Sequence, residues 1–144
     1  MQKIDFVQDN ESKSTFGVLR GMHLQLPPFA QSKLVRAISG KVLDVLVDIR
    51  PDSASYMQNF SIELTEENKT QLFVPQGCAH GFLVLSETAV FAYKVDNYYS
   101  AEHERGIYYA DEDFRIDWPL KADQLKLSER DAGLPRYNEV KGQL

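Results

Sequence analysis

The groups able to move protons in this 144-residue chain include three histidines, set in very different company. His23 lies in Arg20-Gly21-Met22-His23-Leu24-Gln25 and His80 in Pro75-Gln76-Gly77-Cys78-Ala79-His80-Gly81-Phe82, each close to a glycine in a largely apolar stretch. Imidazole changes charge near neutral pH, so a histidine in such a setting suits general acid or base work. The competing reading is a core histidine satisfied by backbone carbonyls, the default for any one buried histidine. His103 sits in the charge run Ala101-Glu102-His103-Glu104-Arg105 and reads as part of a solvated loop.

Three other side chains join these by strand parity. Tyr93 shares parity with Ala89, Phe91 and Val95, the more apolar face of its strand, and so points inward, either packed with a hydrogen-bonded hydroxyl or presented to a ligand. Lys33 shares a face with Val35 and Ala37; it either snorkels from the strand end or turns its ammonium into the interior. Arg20, three residues before His23, falls on the opposite face unless Gly21 introduces a bulge. The lone Cys78 is a weak nucleophile candidate, and no His-x-His pair, paired cysteines, glycine-rich phosphate loop or Gly-x-Ser-x-Gly elbow is present. Acid-base chemistry by His, Tyr, Lys and Asp is what these residue types leave, with no metal and no cofactor expected.

The elements that must carry these groups follow period two. Strands are predicted from Lys33 to Ile38, Lys41 to Ile49, Asn59 to Leu64, Gln71 to Val74, Phe82 to Leu85, Ala89 to Val95 and Gly106 to Tyr109, with His23 on a further strand. Ser39-Gly40 reads as a two-residue hairpin, and Arg50-Pro51-Asp52-Ser53 closes the strand after it. Late in the chain, Ser128-Glu129-Arg130-Asp131 has the form of a capping box, and beyond Pro135 the tail reads as polar and loose. With 43% apolar residues a real core is affordable, and the expectation is one all-β domain over 1–144, a jelly-roll barrel with a short helical C-terminal segment. One cysteine, no leader-like start and no bilayer-length apolar run suggest a soluble, cytoplasmic protein without a membrane partner. A net charge of -5 with scattered acids and bases argues against nucleic acid as a partner, while a small anion would need only a few converging cations.

In their order along the chain these motifs resemble the dTDP-4-dehydrorhamnose 3,5-epimerases, a family with a cupin-type jelly roll. The likeness runs from Phe6-Val7-Gln8-Asp9-Asn10 through Gly17-Val18-Leu19-Arg20-Gly21-Met22-His23-Leu24-Gln25, Lys33-Leu34-Val35-Arg36, Val47-Asp48-Ile49-Arg50, the stretch around His80 and Tyr93-Lys94 to Leu127-Ser128-Glu129-Arg130-Asp131. The resemblance implies that His23 is the base, Asp131 its orienting carboxylate and Tyr93 the acid. It implies that Arg20, Lys33 and His80 line the substrate pocket and that Gln8, Asn10, Glu104 and Arg130 contact nucleotide or sugar. It also implies a homodimer and an N-terminal arm, ahead of the part matching Phe6, that gives a strand to the partner; this chain is read as lacking that arm.

The chemistry expected from the resemblance is cofactor-independent epimerisation of a nucleotide-linked 4-keto-6-deoxy hexose, its nucleotide expected to be dTDP. Removing a proton next to a ketone requires a base poised near neutrality, a carboxylate to stabilise the imidazolium, and a donor for the oxyanion, for which Lys33 is the candidate. Tyr93, with an ordinary pKa of about 10, holds a proton to return from the other side. The alternatives are inversion of a single centre or ketone migration on another nucleotide sugar, a non-catalytic sugar-nucleotide binding module, and a metal-dependent cupin oxygenase.

Overall fold

In the computed structural model, residues 3–144 are described, so the first two positions of the expected domain lie outside the described residues. Among the described residues, nine strands form two antiparallel sheets: β1 (Gln8–Thr15), β2 (Leu19–Gln25), β3 (Lys33–Ser39), β4 (Lys41–Asp48), β5 (Asn59–Thr65), β6 (Leu72–Val74), β7 (Cys78–Val84), β8 (Thr88–Val95) and β9 (Glu104–Gly106). One sheet runs β1-β8-β3-β6 and the other β5-β4-β7-β2-β9. Two one-turn helices follow, α1 (Glu129–Ala132) and α2 (Tyr137–Val140). The architecture is the expected jelly roll with a short helical C-terminal segment.

The barrel interior is built by alternation. Val35 and Ala37 from β3, Val42 from β4, Leu64 from β5, Phe82 and Val84 from β7, and Ala89 and Phe91 from β8 form one buried cluster between the sheets. The rings of Phe82 and Phe91 stack at 4.2 Å across the two sheets. A second cluster lies on the other side of the five-stranded sheet, where Met22, Leu24, Val45, Val47 and Ala79 meet Ile107, Phe114 and Tyr137. That sheet is therefore covered on both faces, and every residue of β7 is buried. This is why β7 begins at Cys78 rather than at the predicted Phe82: a strand buried on both faces loses the alternation that betrays it.

Three other expectations are corrected. Ser39-Gly40 is not a hairpin turn, because β3 pairs with β6 and β8 while β4 pairs with β5 and β7. The chain instead changes sheets there, at a corner where Gly40 has φ +73° and an added Cβ would meet the Thr88 carbonyl oxygen at 2.2 Å. The strand expected at Gly106 to Tyr109 lies earlier, at Glu104–Gly106, paired with His23 to Gln25. The segment after Pro135 is docked rather than loose. Tyr137 is 5% exposed, its ring meets that of Phe114 edge-on at 5.2 Å, and its hydroxyl bonds that of Tyr56 at 2.6 Å. Its backbone N–H donates to Asp111.

The tail thus completes the second cluster. Tyr137→Ala is expected to cost about 3 kcal/mol of unfolding free energy, the scale for deleting a buried aromatic, measured by urea denaturation; a cost near zero would mean that the tail is not part of the core.

Candidate active site

The site begins with an irregularity in β2. Arg20 pairs with Phe82 and His23 with His80, so between these pairs β2 advances three residues while β7 advances two. The extra residue is a bulge, and it decides the question of parity left open by the sequence: Arg20 and His23 line the same cavity. Gly21 sits in the bulge with φ +115°, and a Cβ there would meet Gly81 Cα and the His80 carbonyl oxygen at 2.6 Å each. Only glycine meets both demands.

From this bulge Gly21 donates its N–H to Asp131 Oδ2 at 3.3 Å, and Asp131 Oδ1 lies 2.7 Å from His23 Nε2. With the carboxylate ionised, Nε2 carries the proton and the lone pair of Nδ1 is left free. Asp131 is 4% exposed and its charge is held by its neighbours. Burial pushes the carboxyl up, but the His23 hydrogen bond and charge, the Gly21 N–H and the nearby Arg130 together bring it below its ordinary 3.8. The capping box expected at Ser128 is half formed: Ser128 Oγ accepts the Asp131 N–H at 3.1 Å, while the Asp131 carboxylate goes to His23 and Gly21.

His80, directly opposite His23, makes a second pair. Its Nε2 lies 2.9 and 3.0 Å from the two oxygens of Asp44, which is fully buried. Sequence reasoning missed Asp44. A carboxylate alone in Val42-Leu43-Asp44-Val45-Leu46-Val47 is the signal that would have found it, since such a group survives only with a partner.

The four-stranded sheet supplies the facing wall. Tyr93 on β8 and Lys33 on β3 line the same cavity of about 590 Å³ as His23 and His80. Burial pushes the Tyr93 phenol up, Arg20 draws it down and Glu104 pushes it up again, so the net direction is upward. The Lys33 ammonium is lowered by burial, with Asp44 and Glu104 pulling the other way. Since it lines the cavity, Lys33 turns inward rather than snorkelling to solvent.

At the mouth, Arg130 forms an ion pair with Glu104 at 2.5 Å, and Tyr99 donates its hydroxyl proton to the same carboxylate at 2.8 Å. Tyr99, Ser12 and Lys126 line the cavity and were not singled out from sequence. Gln8 and Asn10 are elsewhere: they bond each other at 2.7 Å on β1, and Asn10 pairs with Tyr93, but neither lines this cavity. His103 stays outside it, bonded to Ser100 and packed on Phe29. Cys78 is buried with its thiol pushed up to about 11 by desolvation, so it holds its proton. Among the described residues no three His, Cys, Asp or Glu side chains gather as a metal-ligand set, and no helix is long and apolar enough to cross a membrane.

A cupin-type jelly roll whose cavity has a hydrogen-bonded His-carboxylate pair on one wall and a protonated tyrosine and an inward-facing lysine on the other defines a class of site able to move protons. Comparison makes the class particular. The family model described as dTDP-4-dehydrorhamnose 3,5-epimerase matches residues 1–139. The chain is 49% identical over 137 residues to the dTDP-4-dehydrorhamnose 3,5-epimerase of Escherichia coli K12, covering 95% of this chain and 74% of that one. The Legionella pneumophila dTDP-6-deoxy-D-glucose-3,5-epimerase, solved with dTDP-4-keto-L-rhamnose, superposes with a TM-score of 0.93 at 46% identity, covering 99% of this chain and 74% of that one. A 3'-monoepimerase from Streptomyces bikiniensis, solved with dTDP as a double mutant, gives 0.88 at 28% identity over 97% of this chain and 71% of that one. The chain belongs to the dTDP-4-dehydrorhamnose 3,5-epimerase family, a family of isomerases.

The lowered Asp131 carboxyl has a consequence for folding. Its ionised form stabilises the folded state above the ordinary value of 3.8, and that contribution is lost as pH falls through the lower folded value. Asp131→Asn should be less stable than wild type at pH 7, by about 1–3 kcal/mol for a charged hydrogen bond, and the gap in denaturant midpoints should close as pH drops below 3.8.

Proposed function

We propose that this chain epimerises a dTDP-linked 4-keto-6-deoxy hexose at the carbons flanking the ketone, C3 and C5. The observation that carries the reading is the placement of a base and an acid on opposite sheets of one cavity: His23, bonded to Asp131, on β2, and Tyr93 on β8. An inversion needs a proton removed from one face and returned to the other, and this arrangement supplies both.

In this mechanism His23 Nδ1 takes the proton from the carbon beside the ketone. Nε2–H stays on Asp131 Oδ1, so the imidazolium forms against an anion already fixed in place. Charge developing on the ketone oxygen is met by the Lys33 ammonium, a fixed donor lining the same cavity. Tyr93, its phenol kept protonated by burial, delivers a proton to the far face. Arg20 and His80 hold the sugar and phosphates, and Glu104 with Arg130 receives the nucleotide end of the ligand. Gln8 and Asn10, on the strand beside Tyr93, would meet the nucleotide where it leaves the cavity. The same reading includes a homodimer and a cytoplasmic setting, where nucleotide sugars are made.

Incubation with dTDP-4-keto-6-deoxyglucose in deuterated water tests this. Deuterium should enter at C3 and C5, and His23→Ala should slow exchange by about 10²–10⁴-fold, the usual contribution of a general base. Absence of exchange at both carbons, or undiminished exchange in His23→Ala, contradicts the proposal; exchange at one carbon alone identifies a single-centre epimerase. Tyr93→Phe is expected to separate the two halves of the reaction, with exchange continuing while inverted product fails to accumulate. Lys33→Met should lower kcat by about 10²–10³-fold, the scale for an oxyanion donor, in the same assay.

A further inference from the structure

Asp131 reaches His23 from a helix too short to hold itself. α1 is a single turn of four residues, and the first turn of a helix fixes more backbone freedom than its one closing bond returns. What secures it is Ser128, whose backbone is extended at φ −66° and ψ 156°, whose Oγ accepts the Asp131 N–H at 3.1 Å, and whose carbonyl accepts the Ala132 N–H at 2.9 Å. In a reciprocal capping box the third helical residue sends its carboxylate back to the N-cap amide. Here the two Asp131 oxygens are engaged by His23 and Gly21, leaving the Ser128 hydroxyl to cap the turn by itself.

We propose that Ser128 is a positioning residue for the acid-base pair: its hydroxyl, by holding the backbone N–H of Asp131, sets the reach of the Asp131 carboxylate to His23. The idea rests on the reading of His23 as the base. Without the hydroxyl, the Asp131 N–H is left without its acceptor in a residue that is 4% exposed. The turn then relaxes, and the carboxylate gains a competing partner in the Ser128 amide. A bond of 2.7 Å tolerates little of this, because displacements of about 1 Å around reacting groups cost about 10²-fold in rate.

The test uses four proteins beside the wild type: Ser128→Ala, Ser128→Thr, Asp131→Ala and the Ser128→Ala/Asp131→Ala double variant. Ser128→Ala should lose about tenfold in kcat with KM unchanged, and Ser128→Thr, which keeps a capping oxygen, should recover most of it. The double variant should be no slower than Asp131→Ala, since a residue acting through Asp131 has nothing left to act on. Proton NMR reads the bond without turnover: the downfield resonance of the His23 Nε2–H should persist in wild type and Ser128→Thr and move upfield or broaden away in Ser128→Ala. An unaltered resonance and kcat in Ser128→Ala would overturn the proposal. So would a raised KM at constant kcat, which marks a substrate contact, or an added loss on top of Asp131→Ala. Should the wild type show no exchange, the functional reading fails, and the resonance alone decides whether Ser128 positions the pair.

Discussion

The close approach of β2 and β7 at Gly21 and Gly81 is the constraint on which the site depends. A side chain at Gly21 would collide with the Gly81 backbone, and one at Gly81 would meet the Arg20 carbonyl at 2.7 Å and the Met22 sulfur at 2.8 Å. The two glycines permit a bulge in the middle of a covered sheet, where an interrupted ladder would otherwise leave backbone groups unpaired. Three features follow from the one bulge. Arg20 and His23 turn into the same cavity, His23 comes opposite His80, and the Gly21 N–H released from regular pairing becomes a donor for the Asp131 carboxylate.

Around that constraint the structure places two His-Asp pairs with different access. In the pair of His80 and Asp44 the side chains are 7% and 0% exposed, so the histidine is held in one orientation by a carboxylate that no ligand reaches. In the pair of His23 and Asp131 the figures are 23% and 6%, which leaves the imidazole edge open to a reactant while its carboxylate stays covered. The same pairing is thus almost wholly covered in one case and leaves the imidazole partly exposed in the other. Lys33 lies within the field of Asp44 and Glu104, and those charges oppose the desolvation that lowers its ammonium.

The C-terminal third is short of regular structure yet closes both sides of the five-stranded sheet. Trp118 donates its indole N–H to the Tyr109 carbonyl at 2.9 Å, and Tyr137 inserts beside Phe114 on the outer face. Between them, Lys126 pairs with the backbone of Gly17 and Leu19 and delivers Ser128 and Asp131 to the cavity on the inner face. One irregular segment therefore serves as core on one side of the sheet and as part of the site on the other.

Much of this was legible in the sequence. Alternation marked most strands and placed Tyr93 and Lys33 on an inward face, because strand periodicity is local, and the order of motifs pointed to the family and to His23 with Asp131. The sequence could not show that Ser39-Gly40 joins two sheets rather than two paired strands, since a glycine with positive φ serves either and only pairing partners far along the chain decide. Nor could it show the tail's docking, for Tyr137 is one aromatic among polar neighbours and its pocket is assembled from distant residues. Asp44 was hidden for the same reason: a lone acid in an apolar strand acquires its meaning from His80, 36 positions away. By itself the sequence determined which residues share a face along the strands that alternate regularly. Only the tertiary structure decided which faces meet, because register, bulge and sheet crossing are set by packing between segments that local periodicity does not connect.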